Sequence, residues 1–155
     1  MGYTHHWNKP KPTRVEIWAD LINLVAIVVK FCEGEGIPLV NGVGDEASQP
    51  IFDMGRIMFN GVGEEAHETF IMGRIDLSRG SCKTAYKPYD LAVCLALIAA
   101  KKVLGKEITI KSDGDANDWD EAFNAAERVF SIRAGFMVSE RDPHGNPTEW
   151  TVEVF

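Results

Sequence analysis

Four groups of polar residues in this chain have types and spacings that can do chemistry. Lys83, Thr84, Lys87 and Asp90 stand in CKTAYKPYD, directly ahead of a long apolar run. Two ammonium groups, a hydroxyl and the N–H groups of a following helix make an anion site suited to phosphate. The glycine cradle and lysine spacing of a P-loop are missing, so this is not that motif. A solvated loop, with Asp90 facing the helix dipole, explains the same residues. Thr4, His5 and His6 follow one another near the start. Imidazole there can be a general base, a metal ligand or a phosphate donor. Adjacent strand residues face opposite ways, so at most one histidine enters a given site, and a buried, bonded histidine beside an exposed one is the plain alternative.

The third group is Asn60, Gly61 and Gly63, followed by His67 and Glu68. The glycines permit a positive φ and close backbone approach to a ligand, and they equally suit a hairpin. The fourth is Ser112, Asp113, Asp115 and Asn117. It opens like a calcium loop, but Asp118 and Asn124 stand where that loop needs Gly and Glu. A turn and a helix cap account for most of it; Asp113 pointing into a ligand site is the sharper alternative. The acid/base candidates are therefore His5, His67, Glu68 and Asp113. A zinc set of His5, His67 and Cys82 has no short ligand spacing, so neither a metal nor another cofactor is expected.

The elements that must position these groups are legible from period and caps. Residues 82–105 read as a polar loop that leads into a central helix, entered at Pro88 as first helical residue and closed at Gly105. Its run from Leu91 to Ala100 is apolar on most of its circumference, which marks a buried helix too short to span a bilayer. GYTHHW alternates as a first strand, with Tyr3, His5 and Trp7 on one face. Thr13 and Glu16 form a capping-box pair for a helix with Trp18, Leu21, Ile22, Val25, Val28 and Val29 on its apolar stripe, ending near Gly34. Residues 37–40, RIMFNG, TFIMGR and EITIK read as strands, the last with Ile108 and Ile110 inward. Residues 76–81 read as a polar loop. Asp118 and Glu121 cap a third helix, which buries Phe123, Ala126, Val129 and Phe130, and residues 136–139 and 150–155 form a hairpin around DPHGNP.

The expected fold is a single α/β domain over residues 1–155, with three main helices on a mixed or mainly antiparallel sheet and a C-terminal hairpin. A parallel crossover from TFIMGR through the central helix to EITIK would put the polar loops at ligand-binding strand ends. The 155 residues suit one core. A net charge of −7 argues against broad nucleic-acid or anionic-membrane binding. Three cysteines cannot all pair, and with no spanning segment or signal peptide a soluble protein of a reducing, cytoplasmic compartment is expected. The alternating end TVEVF beside Trp150 favours a homo-oligomer.

Taken together, GYTHHW, FNGVGEEAHETF, CKTAYKPYD and SDGDANDW resemble a family of small uncharacterised proteins of bacteriophages and bacteria. Its members tend to read GYTHYW, FNGxGxxAHExF, FCKTxxKPYD and SSDG…DW. The resemblance covers most of residues 2–130 and leaves the terminal hairpin outside. The chain departs from it at His6, where Tyr is usual, and at Ser81, where Phe is usual. It marks Thr4, His5, Trp7, Asn60, Gly61, His67, Glu68, Cys82, Lys83, Thr84, Lys87, Asp90, Ser112, Asp113 and Trp119, and names no reaction.

The functional expectation is one pocket at the N-terminus of the central helix, formed by His5, Lys83, Thr84, Lys87 and Asp113, with Thr4, Asn60, Asp90 and Ser112 contributing. It would hold a small anionic, nucleotide-derived ligand, with Tyr3, Trp7 or Tyr86 stacking on a base. In a phage setting, sequestering a host defence signal needs no chemistry. The alternatives are a nucleotide hydrolase or phosphoesterase, and an acidic inhibitor that occludes a host protein through Asp45, Glu46, Glu64 and Glu65.

Overall fold

A computed structural model describes residues 3–42, 48–75 and 80–155. Its elements are β1 (Thr4–Asn8), α1 (Val15–Gly34), β2 (Ile51–Phe52), β3 (Arg56–Phe59), β4 (Phe70–Gly73), β5 (Gly80–Lys83), α2 (Asp90–Leu104), β6 (Thr109–Ser112), α3 (Ala116–Phe130), β7 (Ala134–Arg141) and β8 (Pro147–Val154). The fold is mixed α/β, with three helices and three small antiparallel sheets: β5-β1-β6, β2-β3-β4 and the hairpin β7-β8.

The helix α2 is the axis, because its sequence leaves it no polar face along most of its length. Every residue from Leu91 to Ala100 is buried, and α1, α3 and β8 all pack against it. Burying each large aliphatic side chain here contributes about 1.5–3 kcal/mol. The helix ends, as read from sequence, at Gly105, whose φ of 56° few other residues adopt. Its start differs by two residues. Tyr89 is the N-cap and Asp90 the first helical residue, so Pro88 precedes the cap. The N–H groups of Asp90 and Leu91 donate to the carbonyls of Lys87 (2.9 Å) and Pro88 (3.3 Å). Donors expected to face an anion are thus engaged by the turn ahead of the helix.

The α1 stripe forms, with Trp18, Leu21, Val25, Val28 and Val29 buried and Ile22 half-buried. Its cap does not: Arg14 is the N-cap and makes no side-chain cap bond. Thr13 is held by tertiary contacts instead. Its N–H donates to the Arg74 carbonyl (2.8 Å), and its buried hydroxyl has no hydrogen-bond partner among the described residues. In α3 the capping box is Asp115 with Asp118, three residues upstream of the expected pair. Both pairs satisfy the acidic pattern, and the tight turn at Ser112–Gly114 selects the first. The buried side of α3 is Trp119, Ala122, Ala125 and Ala126, with Phe123, Val129 and Phe130 half-buried.

Sheet topology departs from the expected crossover. Among the described residues β4 pairs only with β3, while β6 pairs with β1. The strand that feeds α2 is β5, part of which falls in the stretch read as a polar loop; residues 76–79 of that stretch lie outside the described residues. Because β1 is antiparallel to both neighbours, β5 and β6 run parallel, and α2 is the crossover joining them past β1. The strand expected at 37–40 reduces to one bridge, Val40 with Asn60. The terminal hairpin is present and longer than expected. Among the described residues, no helix is long and apolar enough to cross a membrane.

Candidate functional site

Strand alternation turns Tyr3, His5 and Trp7 inward from β1, and all three are buried. His5, 0% exposed, meets the first turn of α2. Its Nε2 lies 2.6 Å from Asp90 Oδ1, and the same oxygen accepts from the Thr84 hydroxyl at 2.6 Å. Asp90 and Cys94 are four residues apart, hence on one helix face. The Cys94 Sγ is 3.6 Å from both Asp90 Oδ2 and His5 Nε2. On the other side, Ser112 stands directly opposite His5 in the β1–β6 ladder, with its Oγ 2.8 Å from Nδ1. From α3, the Trp119 indole N–H donates to that Oγ at 3.0 Å, and the Gly114 N–H does so at 2.9 Å. One buried network thus ties β1, β6, α2 and α3 together.

Hydrogen-bond accounting assigns its protons. Two donors fill both lone pairs of the Ser112 hydroxyl, so its own hydrogen points to His5 Nδ1. Nδ1 is then the acceptor, and Nε2 donates its N–H to the Asp90 carboxylate. A serine with both lone pairs occupied is no nucleophile, so the Ser-His-Asp sequence of contacts is not a hydrolytic triad. Burial, reinforced by the nearby Asp90 charge, raises the Cys94 thiol well above its ordinary pKa. The same two causes, in that order, raise the Tyr3 phenol. Burial pushes Cys32 and Cys82 up to about 12. All three cysteines are free and buried, and at pH 8 a thiol of pKa near 12 is ionised in only about one molecule in ten thousand. The native chain is therefore expected to leave its thiols unreacted with iodoacetamide while the urea-unfolded chain reacts at all three. Mass spectrometry showing one cysteine alkylated at the rate of a free thiol would contradict this.

The loop between β5 and α2 closes over the network. Ala85 and Tyr86 both take the left-handed conformation, at φ 51° and 61°, each costing on the order of 1–3 kcal/mol. Tyr86 stacks on Tyr3, centroids 3.8 Å apart, yet is 66% exposed. Beside it a small cleft of about 160 Å³, lined by Lys87, Pro88, Asp118 and Glu121 among others, reaches Asp90 and Cys94.

The outward face of β5-β1-β6 carries a different set. Thr4 is opposite Lys83, and His6 lies between Ser81 and Lys111. Asp113 accepts from the Thr4 N–H at 3.2 Å and approaches His6 at 3.8 Å. Lys111 pairs with Glu149 of the hairpin, and this bond holds the Glu149 carboxyl below its ordinary range. Two hollows open here. One, of about 670 Å³, runs between the turn at residues 112–116 and the hairpin, with Phe136 and Trp150 as apolar walls. The other, of about 570 Å³, crosses Asn8, Ser81 and Thr109. His6 and Lys111 line both.

The expected single pocket is therefore divided. His5, Thr84, Asp90 and Ser112 converge inside, whereas Thr4, Lys83 and Asp113 belong to the outward face and Lys87 lines the small cleft. The reason is the pleat: once residues 80–83 are a strand, Cys82 faces in and Lys83 cannot. Asn60 lies on a different turn, which its side chain holds together. Its Oδ1 accepts from the N–H groups of Gly61 and His67, and its Nδ2 donates to the His67 carbonyl and the Thr69 hydroxyl. His67 is exposed on that turn, away from His5. Glu68 caps the β5 backbone at the Lys83 N–H, and its carbonyl accepts from Tyr89 and Cys82. With Cys82 so engaged, the zinc set His5, His67 and Cys82 is not assembled. Glu64 and Glu65 lie exposed on a short helical turn, whereas Asp45 and Glu46 lie outside the described residues. Residue types alone did not single out Cys94, Lys111, Phe136, Glu149 or Trp150; for Cys94 the four-residue spacing from Asp90 was an available signal. Set against protein-family models, curated proteins and solved structures, the chain matches none of them.

Proposed function

We propose that the protein binds a nucleotide-class ligand along the outward face of β5-β1-β6 and holds it without converting it. The observation that supports this is the meeting of two unlike hollows at His6 and Lys111. Among the described residues that line the hollow over Asn8, Ser81 and Thr109, Lys111 brings an ammonium and His6 an imidazole, so a phosphate would find both together with hydroxyl or amide donors. In the neighbouring hollow, Asp113, Asp115 and Glu149 offer acceptors for base N–H and ribose hydroxyl groups. Trp150, 49% exposed, offers a stacking face. This moves the ligand from the N-terminus of α2, whose first N–H groups are engaged, to the sheet face above it.

A hydrolase has less support. His5 is sealed, Ser112 has no free lone pair, and His67 has neither of them nearby. Retention without conversion is what sequestration of a nucleotide signal requires, the role expected for a phage-type protein. Titration calorimetry with a panel of mono-, di- and cyclic nucleotides tests the reading. Lys111→Ala and Trp150→Ala are each expected to weaken the best ligand by about tenfold or more, corresponding to roughly 1.4 kcal/mol. Ligand released by denaturing the complex should be intact. Absence of heat with every nucleotide would sink the proposal in favour of occlusion of a host protein, and a converted product would favour the hydrolase.

A further inference from the structure

We infer that His5, Asp90 and Cys94 form a binding site for a single borderline-soft divalent cation of the zinc class, with a fourth position open to the cleft beside Tyr86. The three ligand atoms lie within 4.8 Å of one another. An ion about 2.3 Å from sulfur and about 2.0 Å from nitrogen and oxygen subtends tetrahedral edges of about 3.5 Å. The Cys94 Sγ is 3.6 Å from His5 Nε2 and 3.6 Å from Asp90 Oδ2, so two of the three edges are already in place. A nitrogen–sulfur–oxygen set suits zinc or cobalt and is wrong for magnesium or calcium, which take oxygen ligands.

Two of the three ligands already have outer partners that would fix their orientation. The Ser112 hydroxyl holds His5 at Nδ1, so Nε2 faces the other two ligands, 2.6 Å from Asp90 Oδ1 in the metal-free chain and 3.6 Å from Cys94 Sγ. Thr84 holds Asp90 at Oδ1, leaving Oδ2 to the ion. Such partners fix ligand orientation in metal sites. An entry path is present as well. The Asp90 side chain is 17% exposed while that of His5 is 0%. The cleft that reaches Asp90 and Cys94 carries Asp118 and Glu121, two carboxylates that outweigh the single ammonium of Lys87 in drawing a cation. Proton balance is simple. The His5 proton moves from Nε2 to Nδ1, where Ser112 accepts it in place of the Gly114 N–H. The Cys94 thiol loses its proton to solvent, so one proton is released per ion.

Cobalt(II) added to the chelator-treated full-length chain is the test. One equivalent is expected to produce a thiolate-to-cobalt charge-transfer band, bleached by one equivalent of zinc. Cys94→Ala should abolish the band, whereas Cys32→Ala and Cys82→Ala should retain it. Thr84→Val, which keeps the three ligands and nearly the same volume, should weaken cobalt binding by about 10- to 100-fold. No band in the wild-type chain, or a band that persists in Cys94→Ala, overturns the inference. The wild-type result is decisive even where a variant fails to fold.

Discussion

Asp90→Ala is expected to lower the free energy of unfolding by about 3–5 kcal/mol. The carboxylate accepts from three groups at once, the His5 N–H, the Thr84 hydroxyl and the Cys94 thiol. Its own loss costs little in solvation, because solvent reaches it through the cleft. What costs is the set left behind: His5, Thr84 and Cys94 are all buried. Each orphaned donor contributes on the order of 1–3 kcal/mol. The chain also loses the 2.6 Å link from the first turn of α2 to His5 of β1, leaving only the longer Cys94 contact between those side chains. Asp90→Asn keeps an amide oxygen for one or two of the donors and should lose roughly half as much. Urea unfolding followed by far-ultraviolet dichroism measures both, with the midpoint shifting and the slope unchanged. A shift of Asp90→Ala smaller than about 1 kcal/mol would mean that the three donors find other partners, and the network reading would be wrong.

Trp119→Ala is expected to cost about 3–5 kcal/mol and to loosen the hairpin from the body. The indole is fully buried where α3, β1 and the hairpin meet. It stands edge-on to His5, centroids 5.1 Å apart, and edge-on to Phe136 of β7 at 5.6 Å. Truncation removes the packing for both rings and the N–H that fills one lone pair of Ser112. Trp119→Phe separates these contributions, since it keeps most of the ring and drops the N–H. It should cost about 1–2 kcal/mol, and a double-mutant cycle with Ser112→Ala should recover a coupling of about 0.5–1.5 kcal/mol. A coupling of zero would show that the indole N–H does not depend on Ser112. Because Phe136 also walls the larger hollow, Trp119→Ala should weaken any ligand held there, although Trp119 does not line it.

Local pattern was enough for the parts of this protein that repeat along the chain. An unbroken apolar run from Leu91 to Ala100 has no polar face to show to water, so its burial follows from sequence alone. Alternation in GYTHHW turns His5 inward and His6 outward wherever that strand is placed. The hairpin, the α1 stripe and the inward Ile108 and Ile110 follow in the same way.

Pairing is another matter, because it depends on groups far apart in sequence. GSCK is too short to show a period, so the strand β5 was legible only once β1 lay beside it. That placement decided which way Lys83 points, and with it the division of one expected pocket into two sites. The capping residues of α1 and α3 were ambiguous for a related reason: several Thr, Asp and Glu pairs have the right spacing, and tertiary contacts chose among them. His5 meets Asp90 across 85 residues and Ser112 across 107. A carboxylate at the start of a helix already has a sufficient local explanation in the helix dipole, so nothing nearby announces a buried imidazole as its partner. Only the crossover of α2 past β1 brings the two within hydrogen-bond distance, because it sets the first turn of that helix against the inward face of β1.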